Sequence, residues 1–209
     1  LTTEAGVAFD KAVESDQTSA EAWLALVGYY AATKEAVKAD DTIREAQLAL
    51  VEDQNQLLFA RCFEMVGRGI DAEALYRQTL ETAADSERGR VSRLLAQFYL
   101  GPAYRGKDRT EKATPLINQV LKDVADGVIE TNNPHARWAR TTAARLLAQK
   151  GTYQELRNAE RLLSTNVQDG ALPIEDRLLM AEILAPRPEP VSRMKAAKLL
   201  EDLGQNQRL

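Results

Sequence analysis

Hydrophobic residues recur along the chain at intervals of three and four positions, which is the spacing of one face of an α-helix. Trp23 and Leu26 begin one such face with Tyr30, and Ala39 and Ile43 begin another. Runs of Val, Ile and Thr of strand length are scarce. The pattern therefore predicts an all-α protein.

Breaks in this pattern predict eleven helices. Asp108 to Glu111 has the form of a capping box, and Gly67 and Gly151 are typical helix stops. Pro115 lies inside the seventh predicted helix, which is therefore either kinked there or begins at Pro115 with Thr114 as its cap. The predicted helices cover residues 3–15, 19–33, 35–50, 54–67, 70–83, 86–100, 109–128, 134–150, 153–165, 174–185 and 190–203.

A motif of small, large and small residues recurs on alternate helices. An alanine is followed by a large apolar residue four positions later and by a small or aliphatic residue after three more. The small residue lets its helix approach a neighbour, and the large residue fills the groove beside it. The copies are Ala5-Phe9-Ala12, Ala39-Ile43-Ala46, Ala72-Tyr76-Thr79, Ala113-Ile117-Val120 and Ala196-Leu200-Leu203, with a weaker copy at Ala159-Leu163.

These residues resemble the tetratricopeptide repeat (TPR), a helix pair of about 34 residues. The copy from Ala20 to about Asp53 departs from the family pattern at Val27, Ile43 and Val51. The next copy has Phe59, Ala60, Phe63, Gly67, Ala72, Tyr76 and Leu80 in register. The resemblance covers nearly the whole chain, closely over residues 1–85 and loosely after them.

The resemblance implies an α-α superhelix of about eleven antiparallel helices, built as a single TPR-like solenoid over residues 1–209. It implies a half repeat at 1–17 and repeats at about 18–52, 53–85, 86–131, 132–170 and 171–209. The first residues already read as the middle of an amphipathic helix, so we expect the chain to be part of a larger TPR array of bacterial type.

Composition restricts the chemistry that the chain can perform. One cysteine, Cys62, and one histidine, His135, exclude an intramolecular disulfide, a cysteine-cluster metal site and any site that needs two histidines. We expect Cys62 to be a packed, inert thiol and His135 to be a solvated or capping side chain at a helix start. The sequence predicts no catalytic residue, no metal site and no cofactor, and hence no enzyme.

One segment imitates a nucleotide-binding motif. Gly101, Gly106 and Lys107 have the spacing of a phosphate-binding loop. Asp108 stands where Ser or Thr would hold magnesium, and an amphipathic helix precedes the segment where a buried strand is required. We predict a mobile inter-helix loop here, with an exposed Tyr104 that makes a local contact.

The net charge of −4 conceals an uneven distribution. Residues 1–60 contain 4 basic and 11 acidic side chains, whereas residues 87–161 contain 14 and 8. The basic segment suits an acidic peptide or another anion, although arginines on an Ala-rich helical surface are also ordinary solubilising residues. We expect no nucleic-acid binding, because no aromatic platform accompanies the charges, and no membrane helix within this segment, because no apolar run approaches roughly 18 residues.

The TPR resemblance implies that first helices line a concave groove. The candidate groove residues are Leu24, Leu57, Arg61, Met65, Tyr99, Trp138 and Arg145, of which Trp138 is alternatively a core residue. The Lys- and Asn-rich clamp of chaperone-binding family members is not matched, since Leu24, Gly28, Leu57 and Arg61 stand at the corresponding positions.

We therefore expect a non-catalytic scaffold that binds a protein or peptide partner, such as an extended peptide or a helix, in that groove. The alternative is a structural spacer or self-assembly element of a longer array, which associates through uncapped ends.

Overall fold

The computed structural model describes residues 2–167 and 171–206, and these residues form eleven α-helices and no β-strand. The predicted all-α helical solenoid class is confirmed, and each predicted helix is present with bounds that differ by at most three residues. The helices are α1 (Thr2–Ser15), α2 (Ala20–Ala32), α3 (Ala36–Ala49), α4 (Glu52–Met65), α5 (Gly69–Thr82), α6 (Asp85–Leu100), α7 (Arg109–Ala125), α8 (Pro134–Lys150), α9 (Tyr153–Ser164), α10 (Ile174–Leu184) and α11 (Pro190–Asn206).

Local capping chemistry fixes several of these bounds. Ser19 begins α2 and its hydroxyl accepts a hydrogen bond from the Ala22 N–H at 3.3 Å. Thr152 begins α9, accepts from the Glu155 N–H at 3.3 Å and donates to the Glu155 carboxylate at 2.7 Å. Gly151 ends α8 with a φ of 72°, a left-handed conformation that favours glycine. Each cap satisfies backbone groups that have no partner inside the helix.

Pro115 lies inside α7, which begins six residues earlier at Arg109. The alternative in which Pro115 is the first residue of its helix is therefore wrong. Because proline has no N–H, the carbonyl of Glu111 receives no helical hydrogen bond from this position.

The helices form two compact units, Leu1–Ala113 and Thr114–Leu209. In the first unit α1 packs on α2, α2 on α3 and α4, α4 on α5, and α5 on α6. In the second unit α8 packs on α9, α9 on α10, and α10 on α11. Within each unit, helices that follow one another in the chain are neighbours, as in a solenoid. The division into repeats stays a prediction.

The core of the first unit contains the residues that carry the recurring motif. Ala39, Ala46 and Ala72 are fully buried, which lets neighbouring helices approach closely. Their larger companions Ile43 and Tyr76 are each 1% exposed. The other large core residues of this unit include Trp23, Leu26, Val27, Phe59, Phe63, Val91, Leu95 and Phe98.

The core of the second unit lies between α8, α9, α10 and α11 and includes Leu156, Ala159, Leu163, Leu179, Ile183 and Ala196. The last copy of the motif is incomplete in its packing. Ala196 and Leu203 are buried, but Leu200 between them is 51% exposed. The motif at this point therefore supplies two core residues instead of three.

Candidate functional site

The predicted groove residues are divided between the two units. Leu24, Leu57, Arg61, Met65 and Tyr99 belong to the first unit, and Trp138 and Arg145 belong to the second.

Leu24, Leu57 and Arg61 meet at one cleft of the first unit, which we call the α2–α4 cleft. Its volume is about 280 Å³, and Arg90 of α6 also lines it. Leu24, Leu57 and Arg61 are half-buried, so each packs on one side and reaches solvent on the other. The remaining lining residues are Ala20, Glu21, Asn55 and Leu58.

Asn55 marks an irregular turn of α4 at this cleft. Its φ of −120° and ψ of 16° are not helical, and its side-chain amide donates a hydrogen bond to the Val51 carbonyl at 2.8 Å. The side chain thus replaces part of the regular helical bonding next to Leu57 and Leu58.

The same faces of α2 and α4 continue one turn further, at Gly28 and Met65. A Cβ on Gly28 would lie 3.5 Å from the Met65 sulfur, so the thioether packs directly over the glycine. Met65 is 41% exposed. It adds a flexible apolar side chain to the surface beside the cleft.

Two arginines give the α2–α4 cleft its charge. Arg61 forms no hydrogen bond or ion pair with the residues that the structure describes, and Arg90 pairs with Glu87 at 3.1 Å on the exposed side of α6. Glu21 is the acidic residue among the lining side chains. The cleft therefore combines leucine side chains with a guanidinium that is available to a carboxylate.

Tyr99 does not belong to this surface, and its assignment to the groove is wrong. It is 5% exposed, and its ring packs edge-on against that of Tyr104, with 5.1 Å between centroids. Its hydroxyl donates a hydrogen bond to Glu73 at 3.0 Å, and burial raises the pKa of this phenol to about 12. Tyr99 is buried because segment 101–108 folds back against α6.

Tyr104 likewise is not exposed, contrary to the expectation for segment 101–108. It is 8% exposed, and its hydroxyl donates to Asp108 at 2.6 Å, which confirms the predicted local contact. Lys112 lies 4.9 Å above its ring and donates to Glu73 at 2.8 Å. The hydrogen bond to Glu73 is the main reason why the pKa of Lys112 is raised. A Cβ on Gly106 would collide with the Tyr104 hydroxyl, so packing explains this glycine.

In the second unit Trp138 and Arg145 lie on α8, seven residues apart and therefore on one face of the helix. Arg145 is exposed, and Trp138 is half-buried. Trp138 is thus neither fully in the core nor fully accessible.

Sequence reasoning missed a buried polar network in the second unit. Arg140, expected on the surface, is 5% exposed, and its Nε donates to the Asn166 side-chain oxygen at 2.6 Å. The Asn166 amide nitrogen donates to Asp176 at 2.9 Å, and the Thr141 hydroxyl donates to the other Asp176 oxygen at 2.7 Å. The network joins α8 to α10 through the segment that follows α9.

The cysteine lies in the core, and the histidine lies at the start of α8. Cys62 is fully buried, which confirms the prediction of a packed thiol, and burial raises the pKa of this thiol to about 12. The backbone N–H of His135 donates to the side-chain oxygen of Asn133, the residue that caps α8, at 2.8 Å. Within residues 2–167 and 171–206, no three His, Cys, Asp or Glu side chains are grouped to hold a metal ion.

The α2–α4 cleft thus lies between paired helices and is lined by leucines and flanked by two arginines. None of the helices that the structure describes is long and apolar enough to cross a membrane.

No family model matches the chain, and neither does any curated protein. Among solved structures it is similar to the crystal structure of BtubC (BKLC) from P. vanneervenii, with a TM-score of 0.65 and 13% sequence identity. The match covers 99% of this chain and 88% of that one. At this identity, the likeness shows a shared fold and nothing more.

Proposed function

We propose that the chain is a non-catalytic protein-interaction module that binds a peptide or a partner helix in the α2–α4 cleft. The observation that carries this proposal is the convergence of Leu24, Leu57 and Arg61, which come from separate parts of the sequence, around one cleft. The TPR resemblance supports it, because the residues on which the resemblance rests in the first unit, including Trp23 and Ala39, are buried as that repeat requires.

The cleft has room for side chains of a partner. Its volume is about 280 Å³. Three half-buried leucines offer contact area to one or two apolar anchors of a partner, and such anchors contribute much of the affinity of an interface.

The charge of Arg61 indicates that the partner is acidic. Arg61 is without a carboxylate partner among the described residues and is half-buried, so a carboxylate placed beside an apolar anchor would form a partly desolvated pair with it. The proposed ligand is therefore an acidic peptide or helix with apolar anchors at helical or extended spacing.

Leu57→Ser and Arg61→Glu should each weaken binding of an acidic peptide at least about tenfold, because one removes an apolar contact and the other reverses a charge. Peptides selected from a labelled library on the wild-type chain are titrated by fluorescence anisotropy. Leu48→Ser, on the exposed side of α3, and Arg77→Glu, on the exposed side of α5, serve as matched controls and should change affinity less than about twofold. If the selected peptides bind all four variants with equal affinity, the α2–α4 cleft is not the binding site.

A second candidate function, self-association, is supported by the second unit. α10 and α11 pack on each other and expose Ile174 (57%), Leu178 (44%), Val191 (56%) and Met194 (66%). These exposed apolar side chains offer a second copy of the chain apolar area to bury.

Leu178→Ser combined with Met194→Ser should abolish concentration-dependent association of the chain. Sedimentation velocity over a roughly hundredfold range of protein concentration measures the average mass of the particles in solution. Val128→Ser, which changes a residue that is 60% exposed in the turn after α7, is the matched control and should associate as the wild type does. A wild-type mass that stays monomeric throughout contradicts self-association.

A further inference from the structure

A second cavity of the first unit lies among its loops and shares no lining residue with the α2–α4 cleft. We call it the loop cavity. Its volume is about 410 Å³, and its walls are residues 67–71 with Glu73 on one side and residues 103–106 on the other. A Cβ on Gly69 would lie 2.8 Å from the Ala103 carbonyl oxygen, so this glycine lets the two walls meet.

The loop cavity has an apolar rim and a rigid back wall. Ile70, the second residue of α5, is 89% exposed and lines the cavity. Tyr104 forms the back wall, with its ring 5.7 Å from that of Phe98 and edge-on to both Phe98 and Tyr99. An apolar side chain entering here would contact Ile70 on a preformed surface, without first ordering the wall behind it.

The carboxylates around the loop cavity are already occupied. Asp71 accepts a hydrogen bond from Arg68 at 2.8 Å, and Glu73 accepts one from Lys112 at 2.8 Å. Asp108, at the end of the 101–108 segment, accepts from the Tyr104 hydroxyl.

The cationic side chains of segment 101–108 do not have such partners among the described residues. Arg105, which lines the cavity, and Lys107 beside it are exposed, and neither has a hydrogen bond or an ion pair with the described part of the chain. Arg109 donates to the Tyr104 carbonyl at 2.8 Å, which is a neutral acceptor. The charge that remains for a partner is therefore positive.

We propose that the loop cavity docks a partner protein through a short acidic segment that carries one bulky apolar side chain. The apolar side chain enters the cavity beside Ile70, and its flanking carboxylates pair with Arg105 and Lys107. This site is distinct from the α2–α4 cleft in position and in every residue, so it would give the module a second point of attachment to a partner.

A free phosphate or nucleotide is a poorer occupant, although the segment has the glycine and lysine spacing of a phosphate-binding loop. Arg68 and Lys112 are engaged by Asp71 and Glu73, so neither cation is free inside the cavity to hold a multiply charged anion. Gly106 is packed against the Tyr104 hydroxyl. A partner segment needs no free cation inside the cavity, because its apolar side chain faces the wall and its carboxylates pair with Arg105 and Lys107 at the rim.

The probe is the peptide acetyl-Glu-Asp-Phe-Glu-Asp-amide, titrated into the ¹⁵N-labelled full chain and followed by amide chemical shifts. We expect saturable binding that shifts the amides of Gly67, Gly69 and Gly106. The same peptide with Lys at the four acidic positions should not bind. With Ala in place of Phe, affinity should fall at least about fivefold, because the anchor is lost.

Two variants and two matched controls test the assignment. Arg105→Glu should weaken binding at least about tenfold, and Ile70→Ser at least about fivefold. Val37→Ser changes the corresponding second residue of α3, which is 74% exposed, and Lys11→Glu reverses an exposed charge on α1. Both controls should stay within about twofold of the wild type.

Four outcomes would overturn the proposal. They are an absence of saturable binding up to millimolar peptide, shifts confined to the α2–α4 cleft, equal affinity of the Phe and Ala peptides, and the same shifts on addition of inorganic phosphate alone. The second outcome leaves the function proposed for the α2–α4 cleft intact, so the two proposals can fail separately.

Discussion

Asn166→Ala will lower the free energy of unfolding of the second unit by about 2–4 kcal/mol. Asn166 is 1% exposed and joins two buried charged groups, the Arg140 guanidinium and the Asp176 carboxylate, which are 5% and 4% exposed. Alanine removes the oxygen that accepts from Arg140 and the nitrogen that donates to Asp176. Both charges then lose a hydrogen-bond partner away from water, which costs more than the bonds themselves contribute.

Urea denaturation measures this loss. The chain has two tryptophans, Trp23 in the first unit and Trp138 in the second, so a Trp23→Phe background makes Trp138 fluorescence the reporter. Asn158→Ala is the matched control, because Asn158 accepts a solvent-exposed hydrogen bond of 3.1 Å from Arg161. This variant should lower the free energy of unfolding by less than about 0.5 kcal/mol. An equal loss in the two variants contradicts the role of the network.

Asn166→Asp provides a second readout that depends on pH. The variant keeps an oxygen for Arg140 but places a carboxylate against Asp176, and like charges raise the folded-state pKa of the pair above its unfolded value. Such a variant is most stable at low pH and loses stability as the pH rises through the folded-state pKa. Its free energy of unfolding should therefore fall less far below that of the wild type at about pH 5 than at about pH 8. A deficit independent of pH would show that the two carboxylates do not face each other.

Phe98→Ala will lower the free energy of unfolding of the first unit by about 3–5 kcal/mol. Phe98 is fully buried, and its ring lies 5.6 Å from those of Tyr76 and Tyr99 and 5.7 Å from that of Tyr104. Truncation leaves a cavity among rings that cannot collapse into it easily, because Tyr76 and Tyr99 are also held by hydrogen bonds to carboxylates.

Trp23 fluorescence in a Trp138→Phe background reports on the first unit during urea denaturation. Leu48→Ala, which truncates a side chain that is 89% exposed, is the control and should change stability by less than about 0.5 kcal/mol. Phe98→Leu should fall between the two, because it fills part of the cavity. If Phe98→Ala and Leu48→Ala unfold at the same urea concentration, the packing of Phe98 contributes nothing to this unit.

The helices and much of the core could be predicted because their signals are local. Helical spacing identified the buried sides of α2 and α3, and small residues such as Ala39 and Ala72 marked the close approaches. The convergence of Leu24 and Leu57 at one cleft follows from the same regularity, since corresponding positions of successive helix pairs come together.

The residues that were misplaced depend on contacts that no local pattern encodes. Tyr99 is covered because a Gly- and Pro-containing segment folds back and inserts Tyr104 against it. Arg140 lies 26 residues from Asn166 in the chain, and nothing in either neighbourhood distinguishes a buried arginine from a solvated one. Charge patterns describe the surface well only where the helix is known to face solvent.

The position of Cys62 shields the chain's one thiol from its redox surroundings. It is the chain's one cysteine, it lies fully buried in α4, and its thiol stays protonated at neutral pH. Oxidants and thiol reagents attack the thiolate, which here is both scarce and shielded. While α4 remains folded, the chain's one thiol is therefore shielded both from oxidants and from disulfide formation with the thiol of a second copy.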